Sequence, residues 1–146
     1  VRSRIFSAVL GFAIGAGWFA ASTTAQPARR YINARSAANA TQPPFSGAVM
    51  TGDTLYLSGV LGTGDTAEAA ATAGLNSIQG TLKAAGMTMD DLVSIQIFTP
   101  DVSNYDGFNK VYRTYFKQEY PARAFLGSGP LLNGAKFEIQ GIAVRR

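Results

Sequence analysis

Two charged residues sit where charges are costly. Arg123 is flanked by Ala122 and Ala124 and followed by Phe125-Leu126, and Glu138 lies between Phe137 and Ile139. Both stretches read as strands, and a charge inside a strand either points to water or needs a partner. Two readings stand side by side. In one, each charge decorates a solvated face, or the two form a plain cross-strand ion pair. In the other they are parts of a small anion site. A guanidinium is a planar fork that takes a carboxylate in bidentate fashion, and a nearby carboxylate can orient or deprotonate a water. Asn109 and Tyr112, on one helical stretch, are further lining candidates, with capping and packing as their plainer roles.

Composition narrows the chemistry further. The 146 residues include no Cys and no His. That excludes a disulfide framework, thiolate metal sites and thiol catalysis. It also excludes imidazole acid/base pairs, imidazole metal ligation and Ser-His-Asp machinery. No metal site is expected. Arg123 and Glu138 are then the only anchor and acid/base set placed on rigid elements. At 47% apolar residues and 15% charged ones the chain is too apolar for a disordered one, and its length is that of a single domain.

The elements that must hold these residues follow from periodicity. Phe45 to Val49 and Thr54 to Gly59 read as two short strands around the Thr51-Gly52-Asp53 turn. Gly59, Gly62 and Gly64 read as a loop. It lacks the Gly-Lys-Ser/Thr of a phosphate cradle. Asp65 and Glu68 have the spacing of a helix cap. Ala71, Leu75, Ile78, Leu82 and Ala85 then form one apolar stripe, closed by Gly86. Gly74 and Gly80 weaken that helix by roughly 1 kcal/mol each relative to Ala, so packing must hold it. Leu92 to Thr99 is a strand with Val93, Ile95 and Ile97 on one face, stopped by Pro100. Ser103 and Asp106 repeat the capping spacing before a second helix carrying Phe108, Val111, Tyr112 and Tyr115, which Tyr120-Pro121 breaks. Ala122 to Leu126 is a short strand. Lys136 to Val144 is the last, with Phe137, Ile139, Gly141 and Ala143 on one face and Lys136, Glu138 and Gln140 on the other. The order β-β-α-β-α-β-β predicts an α+β domain, one sheet with two helices on one face. The other face needs cover, and an oligomer that packs those faces together supplies it.

The first stretch is of another kind. Arg2 and Arg4 precede an uncharged run whose apolar heart spans Ile5 to Ala21, and Thr23-Thr24-Ala25 ends it in small residues. This is the order of a secretory signal peptide over 1–25, cleaved after Ala25. The competing reading is an uncleaved membrane anchor, since the run is at the lower limit for spanning a bilayer. The first predicts an exported, periplasmic or secreted protein; otherwise it is membrane-anchored or cytoplasmic. Residues 26–43 read as an extended lead-in and 44–146 as the folded domain. Removing 1–25 takes away two arginines and no acid, which lowers the formal charge from +4 to +2. Arg29, Arg30 and Arg35 lie in the polar N-terminal segment and Arg145 and Arg146 end the chain, and no aromatic-studded basic helix is present. No nucleic-acid partner is expected.

With these residues in place, the chain resembles the Rid family, also called YjgF/YER/UK, of reactive intermediate imine deaminases. The likeness runs from about Pro44 to Arg146. It rests on Pro44-Phe45-Ser46-Gly47-Ala48-Val49, Leu57-Ser58-Gly59, Leu82-Lys83-Ala84-Ala85-Gly86 and Phe108-Asn109-Lys110-Val111-Tyr112, with Pro121-Ala122-Arg123 and Glu138-Ile139-Gln140-Gly141-Ile142-Ala143. None of these strings is specific alone; their order and spacing together are. The resemblance implies a chorismate-mutase-like fold and a homotrimer with active sites in clefts between subunits. It implies that Arg123 clamps the carboxylate of a 2-imino or 2-aminoacrylate-type acid and that Glu138 positions the attacking water. Gly59 and Phe125 match positions whose backbone lines the pocket, Phe45 an aromatic wall, and Asn109 a helix residue at the cleft. The implied reaction is hydrolysis of an imine to a 2-keto acid and ammonia, with no cofactor. Such a substrate is already electrophilic, so a bound water, an anchoring cation and a carboxylate suffice.

Three departures from the family pattern stand out. The loop after Gly59 is shorter, Ala124 replaces a common Ser, and Gln140 replaces a frequent second Glu. They bear on substrate range and rate rather than on the carboxylate anchor. A non-catalytic trimeric binder of small carboxylates, or a chaperone-like surface, is the alternative; it needs Arg123 but not Glu138. An endoribonuclease, an older label for the family, fits poorly with no His and a charge of +2.

Overall fold

The computed structural model describes residues 28–33, 38 and 41–146; the expected export segment, 1–25, lies outside them. Among the described residues six strands form one sheet: β1 (Arg29–Ile32), β2 (Ala48–Thr51), β3 (Thr54–Gly62), β4 (Leu92–Thr99), β5 (Ala122–Gly127) and β6 (Phe137–Val144). Their spatial order is β1-β2-β3-β6-β4-β5. Only the β4–β5 pair is parallel, and helix α2 (Tyr105–Tyr112) makes the crossover that a parallel pair requires. Helix α1 (Ala67–Ala85) lies over β3 and β6, with α2 beside it. The result is the expected α+β layer pair, with one strand more than the pattern gave. That strand, β1, arises within the segment read as an extended lead-in and pairs antiparallel with β2.

The helix stripe is as the spacing predicts: Ala71, Leu75, Ile78, Leu82 and Ala85 are all buried. They meet Leu55, Ile95, Ile97, Phe137 and Ile139 from the sheet. Gly74 is where the two layers touch, since a Cβ there would lie 2.7 Å from Ile139 Cδ1. Gly86, at φ 78°, ends α1 in the left-handed conformation, and its amide donates to Lys83 O at 3.0 Å. Two arginines complete this helix end. Arg30 Nη2 donates to Ala85 O at 2.8 Å and Arg145 Nη2 donates to the same oxygen at 3.1 Å.

Several local expectations need correction. The cap of α1 is Thr66, whose Oγ1 accepts from the Ala69 amide at 3.1 Å; Asp65 lies one residue too early. Ahead of α2, Asp101 rather than Ser103 accepts the capping bond, from the Ser103 amide at 2.9 Å. Phe45 starts no strand, because its amide turns back to Pro43 O at 2.9 Å. Gly59 and Gly62 are strand residues of β3 rather than loop, and only Gly64 lies beyond its end. Val93 does not share the face of Ile95 and Ile97: β4 shifts register against β6 between Leu92 and Ser94, and the extra residue turns Val93 outward.

The helices cover one sheet face only. On the other, Tyr56, Val93, Ile142 and Val144 are exposed, and Gln140 Nε2 donates to Gln96 Oε1 at 2.7 Å between them.

Candidate active site

Arg123 stands on β5, at the edge of the sheet. It is paired in register with Ile95 and so turned toward the helix layer. Its Nη1 donates to Asn109 Oδ1 at 2.6 Å and its Nη2 to the Tyr105 hydroxyl at 3.2 Å. The guanidinium carbon lies 4.9 Å from the Tyr112 ring centroid and 5.6 Å from that of Tyr105. Aromatic faces are attractive to a guanidinium. Tyr105, Asn109 and Tyr112 follow one another along α2 at steps of four and three, which puts all three on one helix face. A cavity of about 330 Å³ opens beside them, lined also by Arg113, Tyr120 and Pro121.

No carboxylate of the described residues pairs with Arg123; the ion pair among them is Lys110 with Glu68, at 3.9 Å on the surface. A half-buried guanidinium held only by neutral oxygens and ring faces keeps its charge for an anion. Phe125, two residues along β5, packs edge-on against Tyr105 at 5.1 Å and Phe108 at 5.6 Å. It supports the pocket from behind. Tyr112 is almost wholly buried, and its hydroxyl finds no hydrogen-bond partner among the described residues. Burial pushes that phenol up to about 12, with the Arg123 charge pulling weakly the other way. It is a neutral group at any ordinary pH.

Glu138 is elsewhere. On β6 it opposes Phe98 and Leu61, and it shares the uncovered face with Gln140 rather than the helix face with Arg123. The cross-strand ion pair offered as the plain reading of Arg123 and Glu138 is therefore absent. Strand β3 carries an extra residue opposite Gln140, at Ser58-Gly59, and the Glu138 carboxylate rests on the Gly59 α-carbon: a Cβ there would fall on its Oε1. Any side chain there would push the carboxylate aside. The Ser58 hydroxyl donates to Ser46 O at 2.7 Å, which brings the segment carrying the exposed Phe45 to the same bulge.

The six expected site residues thus form two groups. Arg123, Asn109 and Phe125 lie on the helix side of the sheet edge; Glu138, Gly59 and the Phe45 segment lie around the bulge of the open face. Tyr105 and Tyr120 were not foreseen. The signal for Tyr105 was its four-residue step from Asn109, whereas Tyr120 belongs to an irregular segment with no periodicity to read.

Comparison with known proteins gives a consistent result. The profile of a family described as Endoribonuclease L-PSP matches residues 34–145. The chain is 32% identical to human 2-iminobutanoate/2-iminopropanoate deaminase over 126 residues, covering 80% of this chain and 90% of the human one. With the bovine protein of the same name the identity is 35% over 125 residues, with the same coverage. Among solved structures, RidA from the Antarctic bacterium Psychrobacter sp. PAMC 21119 superposes with a TM-score of 0.69 at 28% identity, over 80% of this chain and 99% of that one. The Rid-family protein YyfA of Yersinia pestis does so at 0.72 and 31%, over 81% and 100%.

Proposed function

The chain belongs to the endoribonuclease L-PSP family of YjgF/Rid proteins, and from that membership we propose that it hydrolyses reactive 2-imino acids to 2-keto acids and ammonia. The observation that carries the reading is Arg123: a charge with no carboxylate partner among the described residues, pre-oriented by Asn109 and Tyr105 beside a cavity. Relatives named 2-iminobutanoate/2-iminopropanoate deaminase support the reaction type.

In this reading Arg123 takes the substrate carboxylate and fixes the adjacent C2. A water attacks C2 of the protonated imine; the new C–O bond forms as the C=N π electrons return to nitrogen. Glu138 accepts the proton from that water and gives it to the nitrogen. The C–N bond then breaks and ammonia leaves, while the C2 hydroxyl gives its proton to the Glu138 carboxylate, which passes it to the departing ammonia as ammonium, and becomes the ketone. Positioning and one acid/base group are all that this chemistry asks of the protein.

Because Arg123 and Glu138 occupy opposite faces of one sheet, the reading places the reacting centre between subunits. Three copies packing their open faces together would bury Tyr56, Val93, Ile142 and Val144, and bring the Glu138 of one copy toward the Arg123 pocket of the next. Residues 1–25 fit export by cleavage after Ala25; intact-mass measurement of the protein from its host checks this, with a full-length cytosolic product as the contrary result.

The test of function is a coupled assay. An amino-acid oxidase generates the imine in place, and keto acid formation above the spontaneous rate is followed. Wild type should accelerate it and Arg123→Ala should not. Undiminished acceleration by Arg123→Ala would end the reading. Tight keto-acid binding without acceleration would favour the non-catalytic binder.

A further inference from the structure

The cavity beside Arg123 is more aromatic than a three- or four-carbon acid needs. At about 330 Å³ it lies at the lower end of the range of ligand pockets, about 300–1,000 Å³, with room for a ring beside a carboxylate. Its walls are the rings of Tyr105, Tyr112 and Tyr120 with Pro121, Asn109 and the Arg113 side chain, and no acidic side chain among the described residues lines it. Tyr112 forms the floor, buried beneath the guanidinium and stacked on Phe108 at 5.7 Å. Tyr105 and Tyr120 are different. They are 44% and 54% exposed, although both are large rings already locked in aromatic contacts, Tyr105 with Phe125 and Tyr120 with Tyr112 and Phe116. Held rings presenting open surface to a cavity that Arg123 also lines make a built recognition surface rather than stray exposure.

Charge and shape point to one kind of occupant. A carboxylate belongs on Arg123, and a flat apolar group attached two or three bonds away would lie against Tyr105 or Tyr120. We propose that the preferred substrates are 2-imino acids with an aromatic side chain, recognised by these tyrosines around Arg123. This rests on the deaminase reading and goes beyond it, since neither Tyr105 nor Tyr120 takes part in the hydrolysis.

The test uses the full-length protein and two imines made in place by an amino-acid oxidase, one from phenylalanine and one from 2-aminobutyrate. The kcat/KM ratio, aromatic over aliphatic, should exceed about tenfold for wild type, the order that a hydrophobic pocket contact supplies. Tyr120→Ala should lower that ratio severalfold. Calorimetry with phenylpyruvate and 2-ketobutyrate should show the same preference in product binding. A ratio of one or less, or a ratio that Tyr120→Ala does not lower, overturns the inference and leaves the deaminase reading intact. Turnover of neither imine overturns both.

Discussion

Arg123 has no acidic partner among the described residues, so its loss should show first in binding. Arg123→Ala is expected to weaken 2-keto acid binding by about 2 kcal/mol or more, the size of a charge-assisted bidentate contact. Arg123→Lys should recover little, because an ammonium cannot reproduce a fork already aligned by Asn109 and Tyr105. Titration calorimetry measures both. Tyr112, directly beneath, gives a stability prediction instead. Its buried hydroxyl has no partner among the described residues, so Tyr112→Phe should be neutral or stabilise by about 1 kcal/mol in urea unfolding. Its folded pKa is raised above the unfolded value, so its contribution is complete below about pH 10 and is lost as pH climbs toward about 12. Tyr112→Phe should flatten that alkaline fall. A residual slope belongs to Tyr115, which burial also raises. At this scale the sequence singled out Arg123 and Glu138, because charges between apolar neighbours are conspicuous. It did not expose Tyr105 or Tyr120, since aromatic residues beside a helix and a proline read as packing.

Strands and helices were legible wherever one period ran uninterrupted. The stripe of α1 and the alternation of β6 both hold residue by residue, Glu138 included. What failed was what a period cannot contain: the extra residues in β3 and β4. One of these turned Val93 outward, and the other made the seat for Glu138. The separation of Arg123 from Glu138 was equally hidden. It depends on the registers β4–β5 and β4–β6, which join strands far apart in the chain and leave no mark in either strand's composition. The glycines of α1 show the difference between propensity and packing. Gly80 has nothing within 4 Å of an added Cβ, so Gly80→Ala should stabilise by about 0.5–1 kcal/mol. Gly74→Ala gains the same propensity but drives a methyl into the fully buried Ile139, and should cost about 1–2 kcal/mol net. Chemical denaturation of the pair separates the two effects.

For the whole molecule the decisive expectation is that neither half-site works alone. Arg123→Ala and Glu138→Gln should each abolish most turnover, by about 10²-fold or more for the carboxylate. Co-expressed and co-purified, the two variants should regain part of the activity, because mixed copies of the proposed trimer would contain junctions where an intact Arg123 faces an intact Glu138. Light scattering should give about three times the chain mass. A stable monomer at micromolar concentration, or no recovery in the mixture, would contradict a shared centre. Another feature works at the same scale. Arg30 from the first described strand and Arg145 from the far end of the chain converge on the Ala85 carbonyl, at the helix end where cations are favoured. The arrangement is redundant. A carbonyl left with one donor is still satisfied, so Arg30→Ala and Arg145→Ala should each look harmless in a survey of single variants. Only the double variant would reveal the need. Tolerance at either position would then measure the presence of an understudy rather than the dispensability of the part.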